Sequence, residues 1–225
     1  MAKAKPELKI ITGDAPYRDD PAAVFNQLCG ARPATLLLES ADVDSKDNLQ
    51  SLLITDSALR ISAMGQQVSV QALSENGASL LPLLDAALPA SVDIRVRPDG
   101  REFFFPAIDP LQDEDSRLKS VSVFDALRLI PSLVEHSDRH RESVMLGGLF
   151  AYDLVAGFET LPELDNHQRC PDYCFYLAET LLVIDHQSRT ARLQASVFTP
   201  SASEFQRLQQ RIHQLNQQMQ QPAAA

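Results

Sequence analysis

Apolar residues in this chain come in short runs and alternations, broken by Gly, Pro and Asp/Ser/Asn clusters, and only a few stretches carry a helical period. After Pro33, the apolar run Thr35–Leu38 predicts a short buried strand. Glu39 and Ser40 stand at its end, and the polar stretch Ala41–Asn48 reads as a loop. Leu52–Thr55, Leu59–Met64 and Gln67–Leu73 read as three consecutive strands. Asp56-Ser57 and Gly65-Gln66 supply the turns of an antiparallel meander. Ile94–Arg97 and Arg101–Phe105 straddle Pro98-Asp99-Gly100, a hairpin signal. Leu181–Asp185 and Ala191–Phe198 form a second hairpin, turning at His186–Thr190. Helical periods are fewer. Asp20-Pro21 opens one helix, Val24, Phe25 and Leu28 share its face, and Gly30 ends it. Asn76 is expected to cap a helix through Leu80, Leu81, Leu84 and Leu88, stopped by Pro89. Ser122 is expected to cap another, with Phe124, Leu127, Ile130, Leu133 and Val134 facing inward. The plainest helix is Ser201–Gln220. Ser201 and Glu204 make a capping box, and Phe205, Leu208, Ile212, Leu215 and Met219 form an apolar stripe opposite a glutamine-rich face. That stripe is expected to pack on its own domain, with a partner helix as the alternative. Locally paired strands with intervening helices predict an α+β fold on antiparallel sheet.

Composition narrows the function classes. The 225 residues suffice for one large domain or two small ones, and 44% hydrophobic with 22% charged residues is ordinary globular material. A formal charge of −10, with no long basic run, excludes a nucleic-acid surface. No apolar stretch approaches the ~20 residues of a membrane span, and MAKAKPELK does not open a secretory leader, so a cytoplasmic protein is expected. Cys29, Cys170 and Cys174 make an odd set without a framework pattern. His167, Cys170 and Cys174, with His186 as a fourth ligand, fall short of a zinc pattern, so free thiols and no metal site are expected. Asp109–Asp115 reads as a solvated acidic loop. His136 and His140 have no nucleophile beside them in sequence, and no catalytic residue is assigned anywhere in the chain.

Residues 147–159, GGLFAYDLVAGFE, concentrate the special-purpose residues. Gly147 and Gly148 permit close approaches, Leu149, Phe150, Leu154, Val155 and Phe158 are bulky enough to bury the segment, and Tyr152-Asp153 insert polar groups. On composition alone this is a tight strand-to-helix turn inside a core. The segment also resembles the Gly-Gly…Tyr-Asp stretch in the N-terminal half of anthranilate synthase component I and its chorismate-using relatives. PATLLLES (33–40) resembles the strand and turn that carry the tryptophan feedback site of that family. Asp56–Ile61 (DSALRI), Leu118–Leu127 (LKSVSVFDAL) and Cys170–Asp185 (CPDYCFYLAETLLVID) are similar to it as well. The resemblance runs from about Tyr17 to Phe198. No counterpart of the family's PIAGT-type segment or of its later acidic metal-binding motifs is present.

The resemblance implies the N-terminal part of a two-sheet α/β sandwich with outer helices. Residues 1–200 would be the tryptophan-regulatory domain, and 201–225 a helix and tail leading towards a chorismate-binding domain. It implies a lyase of tryptophan biosynthesis that converts chorismate and ammonia to anthranilate and pyruvate with Mg2+, whose ligands lie outside this chain. Ammonia would come from glutamine through an amidotransferase subunit, component II, in a heterotetramer. Feedback binding of L-tryptophan is carried over to Leu38, Glu39 and Ser40. Gln50 is a possible further contact, at a position where the family often has Lys. This chain alone is expected to be inactive. Two alternatives stand beside this: the large subunit of aminodeoxychorismate synthase, and a non-catalytic binding module for the amidotransferase.

Overall fold

A computed structural model describes residues 5–39, 49–107, 112–135, 142–152, 154 and 170–221. Among these residues the fold is α+β, built on one antiparallel sheet of nine strands. Its centre is a pair of long strands, β3 (Gln50–Met64) and β8 (Tyr173–Asp185), which pair along their whole length. On either side of them stand two different sets of neighbours. At the Gln50 end, β2 (Leu36–Glu39) flanks β3. There β8 is flanked by β9 (Thr190–Val197), and β1 (Lys9–Ala15) lies beyond it. At the Met64 end, β3 pairs with β4 (Gln67–Ala72), followed by the hairpin of β6 (Gly100–Phe104) and β5 (Asp93–Arg97). Here β8 takes β7 (Leu146–Phe150) on its free side.

Between the two halves the ladder is irregular. Leu181 stands opposite Ile54 and Leu177 opposite Leu59, while Thr55, Ala58 and Glu179 are skipped in the pairing. Such β-bulges bend a strand and raise its local twist. The expected turn at Asp56-Ser57 is therefore absent, and one strand of 15 residues replaces two. A turn would expose the Asp56 carboxylate to water. Here Arg32, Arg211 and Thr180 bind it instead, so the chain stays extended.

Helices cover the sheet by burying apolar stripes. α1 (Pro21–Cys29) starts at Asp20, whose side chain accepts from the Ala23 amide, and ends at Gly30 with φ of 55°. α6 (Ala202–Gln220) starts at Ser201, which accepts from the Glu204 amide, and buries Leu208, Ile212, Leu215 and Met219. Together α1 and α6 enclose Leu53, Leu182, Ile184 and Leu193. Each such side chain stabilises by about 1.5–3 kcal/mol on burial. The α6 stripe thus packs on the chain's own sheet. α2 (Glu75–Ala78) and α3 (Leu81–Ala87) cover the other half with α5 (Asp125–Leu129), enclosing Leu59, Ile61, Phe103 and Leu177.

The caps differ from expectation in two places. Ser74, not Asn76, caps α2, because the Asn76 amide is buried and bonded to Glu179, Ser196 and Phe198. Near Ser122 the bond runs the other way, its amide donating to Asp125, and α5 stops early in a 3-10 turn, Ile130–Ser132. Within the expected acidic loop, Glu114–Lys119 forms a short helix, α4. His136, His140 and Asp109 lie outside the described residues.

Candidate functional site

β2 carries the strand end singled out by sequence. It is half-buried rather than buried, because it pairs with β3 alone and lies at the margin of the sheet. Leu38 stands opposite Leu52 and Glu39 opposite Ser51. Side chains alternate along a strand, so Leu38 and Glu39 point to opposite faces. Leu38 shares its face with Leu36, Leu52 and Ile54, and that face includes Gln50 at the start of β3. Gln50 stands opposite Asp185 across the ladder. The Asp185 carboxylate accepts from the Ser188 and Gln187 amides, and the Ser188 bond leads in holding it below the usual carboxylate range. Glu39, exposed, projects with Ser51, whose hydroxyl bonds His186; the other nitrogen of that ring meets the Tyr17 hydroxyl at 3.1 Å. The structure therefore brings Leu38 and Gln50 to one face and sends Glu39 to the other. Ser40 lies outside the described residues.

The face of Leu38 also receives the glycine segment. Ile54, Ala178, Leu181 and Val183 form a small buried cluster closed by Leu36, Leu52 and Met145, with no α-helical residue in it. Gly147, buried in β7, lies against Ile54, Leu36 and Leu38. The two stretches most similar to the family, far apart in sequence, are neighbours here. The glycine pair belongs to the strand that opens this segment, and a turn closed by the Leu154 amide on the Ala151 carbonyl follows it. Its apolar companions do not bury as expected: Leu149 is 61% exposed and Phe150 52%, and Tyr152 reaches 91%. Phe150 still touches an aromatic group of Phe124, Tyr173 and Phe175, its ring centroid 4.9 Å from that of Phe175. Asp153, Val155 and Phe158 are outside the described residues.

A second polar centre, not foreseen in the sequence, fills the bulge. The Asp56 carboxylate accepts from Arg211 at 2.8 and 3.1 Å, from Arg32 at 2.9 Å and from the Thr180 hydroxyl. Burial pushes its pKa up, but the bonds from Arg211, Thr180 and Arg32 outweigh that, and the carboxyl is held below its usual value. Beside it Glu179, 3% exposed, accepts from Ser74, Asn76 and Arg207. These groups border a cleft of about 340 Å3. Its three guanidiniums, Arg32, Arg207 and Arg211, are each committed to a carboxylate. The cluster reads as the joint between α1, α2, α6 and the two central strands. Its sequence signal was an Asp inside a long alternating run and an Arg pair four apart beside the α6 stripe.

No set of three or more His, Cys, Asp or Glu able to hold a metal comes together among the described residues. Cys29 is buried, with its thiol pushed up by desolvation, Cys170 is exposed and Cys174 half-buried, and all three are free. No described helix is long and apolar enough to cross a membrane.

No family model matches the chain. Similarity to individual proteins is extensive. The chain is 64% identical over 218 residues to anthranilate synthase component 1 of Serratia marcescens, covering 97% of itself and 42% of that protein. The component 1 of Salmonella typhimurium is 61% identical over 223 residues, at 99% and 43% coverage, and that of Escherichia coli 58% over 219 residues, at 97% and 42%. The chain thus spans about two fifths of the length of these relatives. Identity of this order along nearly the whole chain places it in the anthranilate synthase component 1 family.

Proposed function

We propose that this chain is the tryptophan-sensing part of an anthranilate synthase. The complete enzyme would convert chorismate and ammonia to anthranilate and pyruvate, with ammonia supplied by a component II amidotransferase. The observation that carries the reading is 64% identity with a protein named for this activity over 97% of the chain. Regulation rather than chemistry suits the residues at hand. The described residues offer no donor set for the magnesium ion that the resemblance implies, so no step is assigned through it. A tryptophan site needs an apolar wall for the indole, a carboxylate for the ammonium and polar groups for the carboxylate and ring N–H. In this reading Leu38 supplies the wall from the face of the Ile54 cluster, Glu39 the carboxylate at the end of the strand, and Ser40 a hydroxyl. Gln50 adds an amide where a lysine would have added charge.

The same reading accounts for the side of the sheet that carries no helix among the described residues. The remaining polypeptide of the relatives would cover it as the second layer of a sandwich, with exposed Leu149 on that face and Tyr152 just beyond the strand at the contact. An apolar surface of this kind is the usual mark of a docking face. Tryptophan would then act by binding unequally to two arrangements of those layers.

The test is a titration of L-tryptophan against the purified chain, following the ligand's own fluorescence anisotropy. The protein contains no tryptophan, so red-edge excitation reports the ligand. Saturable binding, abolished by Ser40→Phe, is the expected result. Binding unaffected by Ser40→Phe removes Ser40 from the site. Mixing the chain with the remaining part of a relative and assaying anthranilate formation tests the wider reading, and another product from chorismate would point to aminodeoxychorismate synthase.

A further inference from the structure

Three side chains from two strands converge on a single atom position of β7. A Cβ built on Gly147 would stand 2.7 Å from Ile54 Cδ1, 3.0 Å from Leu36 Cδ2 and 3.4 Å from Leu38 Cδ1. Its neighbour differs in kind. A Cβ on Gly148 would lie 2.3 Å from the Cys174 carbonyl oxygen and 2.6 Å from Phe175 Cα, so that glycine is demanded by backbone. At Gly147 the obstacle is the tips of aliphatic side chains, two of them belonging to the strand that carries the proposed effector residues.

The two strands are not equally able to yield. β7 is paired to β8 over five positions, and the half-exposed ring of Phe150 at its end rests against Phe124, Tyr173 and Phe175. β2 is four residues long and pairs with β3 alone. Leu37 packs on the α1–α6 core from one face of β2, and Leu36 and Leu38 meet β7 and the cluster around Ile54 from the other. Extra volume at position 147 presses first on the tips of Ile54, Leu36 and Leu38, and what those tips cannot take up by turning aside is passed to β2, whose ladder is the shorter of the two.

We infer that Gly147 is a positioning residue for the tryptophan site: by lacking a side chain it sets how deeply Leu36 and Leu38 seat, and so where Glu39 stands. This rests on the reading of Leu38, Glu39 and Ser40 as the effector segment. Gly147 touches no ligand in that scheme. It acts through the seat of β2, and a methyl group there shifts the site without altering any group in it.

The experiment compares the unsubstituted chain with Gly147→Ala, Ile54→Val and the double variant, in which the Ile54 Cδ1 that a new Cβ would strike is removed. Hydrogen exchange is followed in peptides covering Leu36–Glu39 and Tyr173–Asp185, and tryptophan affinity by ligand anisotropy. In Gly147→Ala, exchange across β2 is expected to quicken about tenfold, with β8 unchanged, and the tryptophan Kd to weaken by about tenfold, the scale of a small overpacking penalty. The double variant is expected to recover both to within about threefold, a rescue that general loss of stability would not give. Unchanged β2 exchange in Gly147→Ala overturns the inference. So does an unchanged Kd in a chain that binds tryptophan. A β2 response in a chain whose unsubstituted form binds no tryptophan sustains the seating role and sinks the tryptophan reading instead. If Gly147→Ala does not fold, the double variant decides, and weakened binding there that Ile54→Val alone does not cause overturns the inference.

Discussion

Asp56 holds its negative charge inside the bulge because Arg211, Thr180 and Arg32 bind it from three different parts of the chain. Its side chain and that of Arg211 are both roughly four-fifths buried, at 22% and 21% exposure, whereas Arg32 is 43% exposed and screened by water. Asp56→Asn is expected to lower stability by about 2–3 kcal/mol, somewhat less than the ~3–5 of a fully buried pair. Urea unfolding at neutral pH measures this. The sign with pH follows from the depressed folded value. The contribution is complete above the ordinary Asp pKa of 3.8 and is lost as pH falls through the lower folded value. The melting temperature of the parent chain should therefore fall more steeply than that of Asp56→Asn as pH drops below about 4. A parallel fall in both would remove Asp56 from the account. Local sequence could not disclose this role. Asp-Ser is a turn signal by propensity, and the partners that keep the strand extended lie 24, 124 and 155 residues away.

Elements whose signal is local were the legible ones. The α6 stripe, its Ser201 cap, the Asp20 and Gly30 ends of α1 and both hairpins need only near neighbours in sequence, and each stands where the pattern put it. Of the expected capping box only the Ser201 half forms, because the Glu204 carboxylate is taken by Arg207. Those decided at a distance were not. Asn76 was read as a cap, but its amide is taken by groups 103 to 122 residues away, which leaves capping to Ser74. Leu149 and Phe150 were read as buried because hydrophobicity states a preference for burial without saying what supplies the cover. The candidate site divides along the same line. The strand end was visible from its residues, while the split of Leu38 from Glu39 needed the strand's orientation. At this scale Leu208, fully buried between α6 and the sheet, gives the clean test. Leu208→Ala is expected to cost about 2–5 kcal/mol, the range for a cavity in a packed core. A loss under ~1 kcal/mol in chemical unfolding would mean that α6 is only lightly attached.

For the molecule as a whole, the exposed end of β7 separates stability from assembly. Tyr152, at 91% exposure, contributes little to this chain by itself. Tyr152→Ala should leave thermal stability within about 0.5 kcal/mol of the parent. In the proposed complete enzyme the same change should weaken recovery of anthranilate formation when the chain is mixed with the rest of a relative. Equal recovery by both forms would take Tyr152 out of the contact. The irregular pairing of the central strands has a consequence of another order. Leu182 and Ile184 point to the helix side from even positions of β8, whereas Tyr173 and Leu177 reach their helix-covered core from odd ones, and the skipped Glu179 lies between. The strand therefore behaves like a text with a frame. Replacing a letter near Glu179 alters one contact, but removing a letter inverts one half against the other and exchanges Leu182 and Ile184 with Leu181 and Val183 between two differently shaped cores. Length in this segment is thus held more tightly than composition.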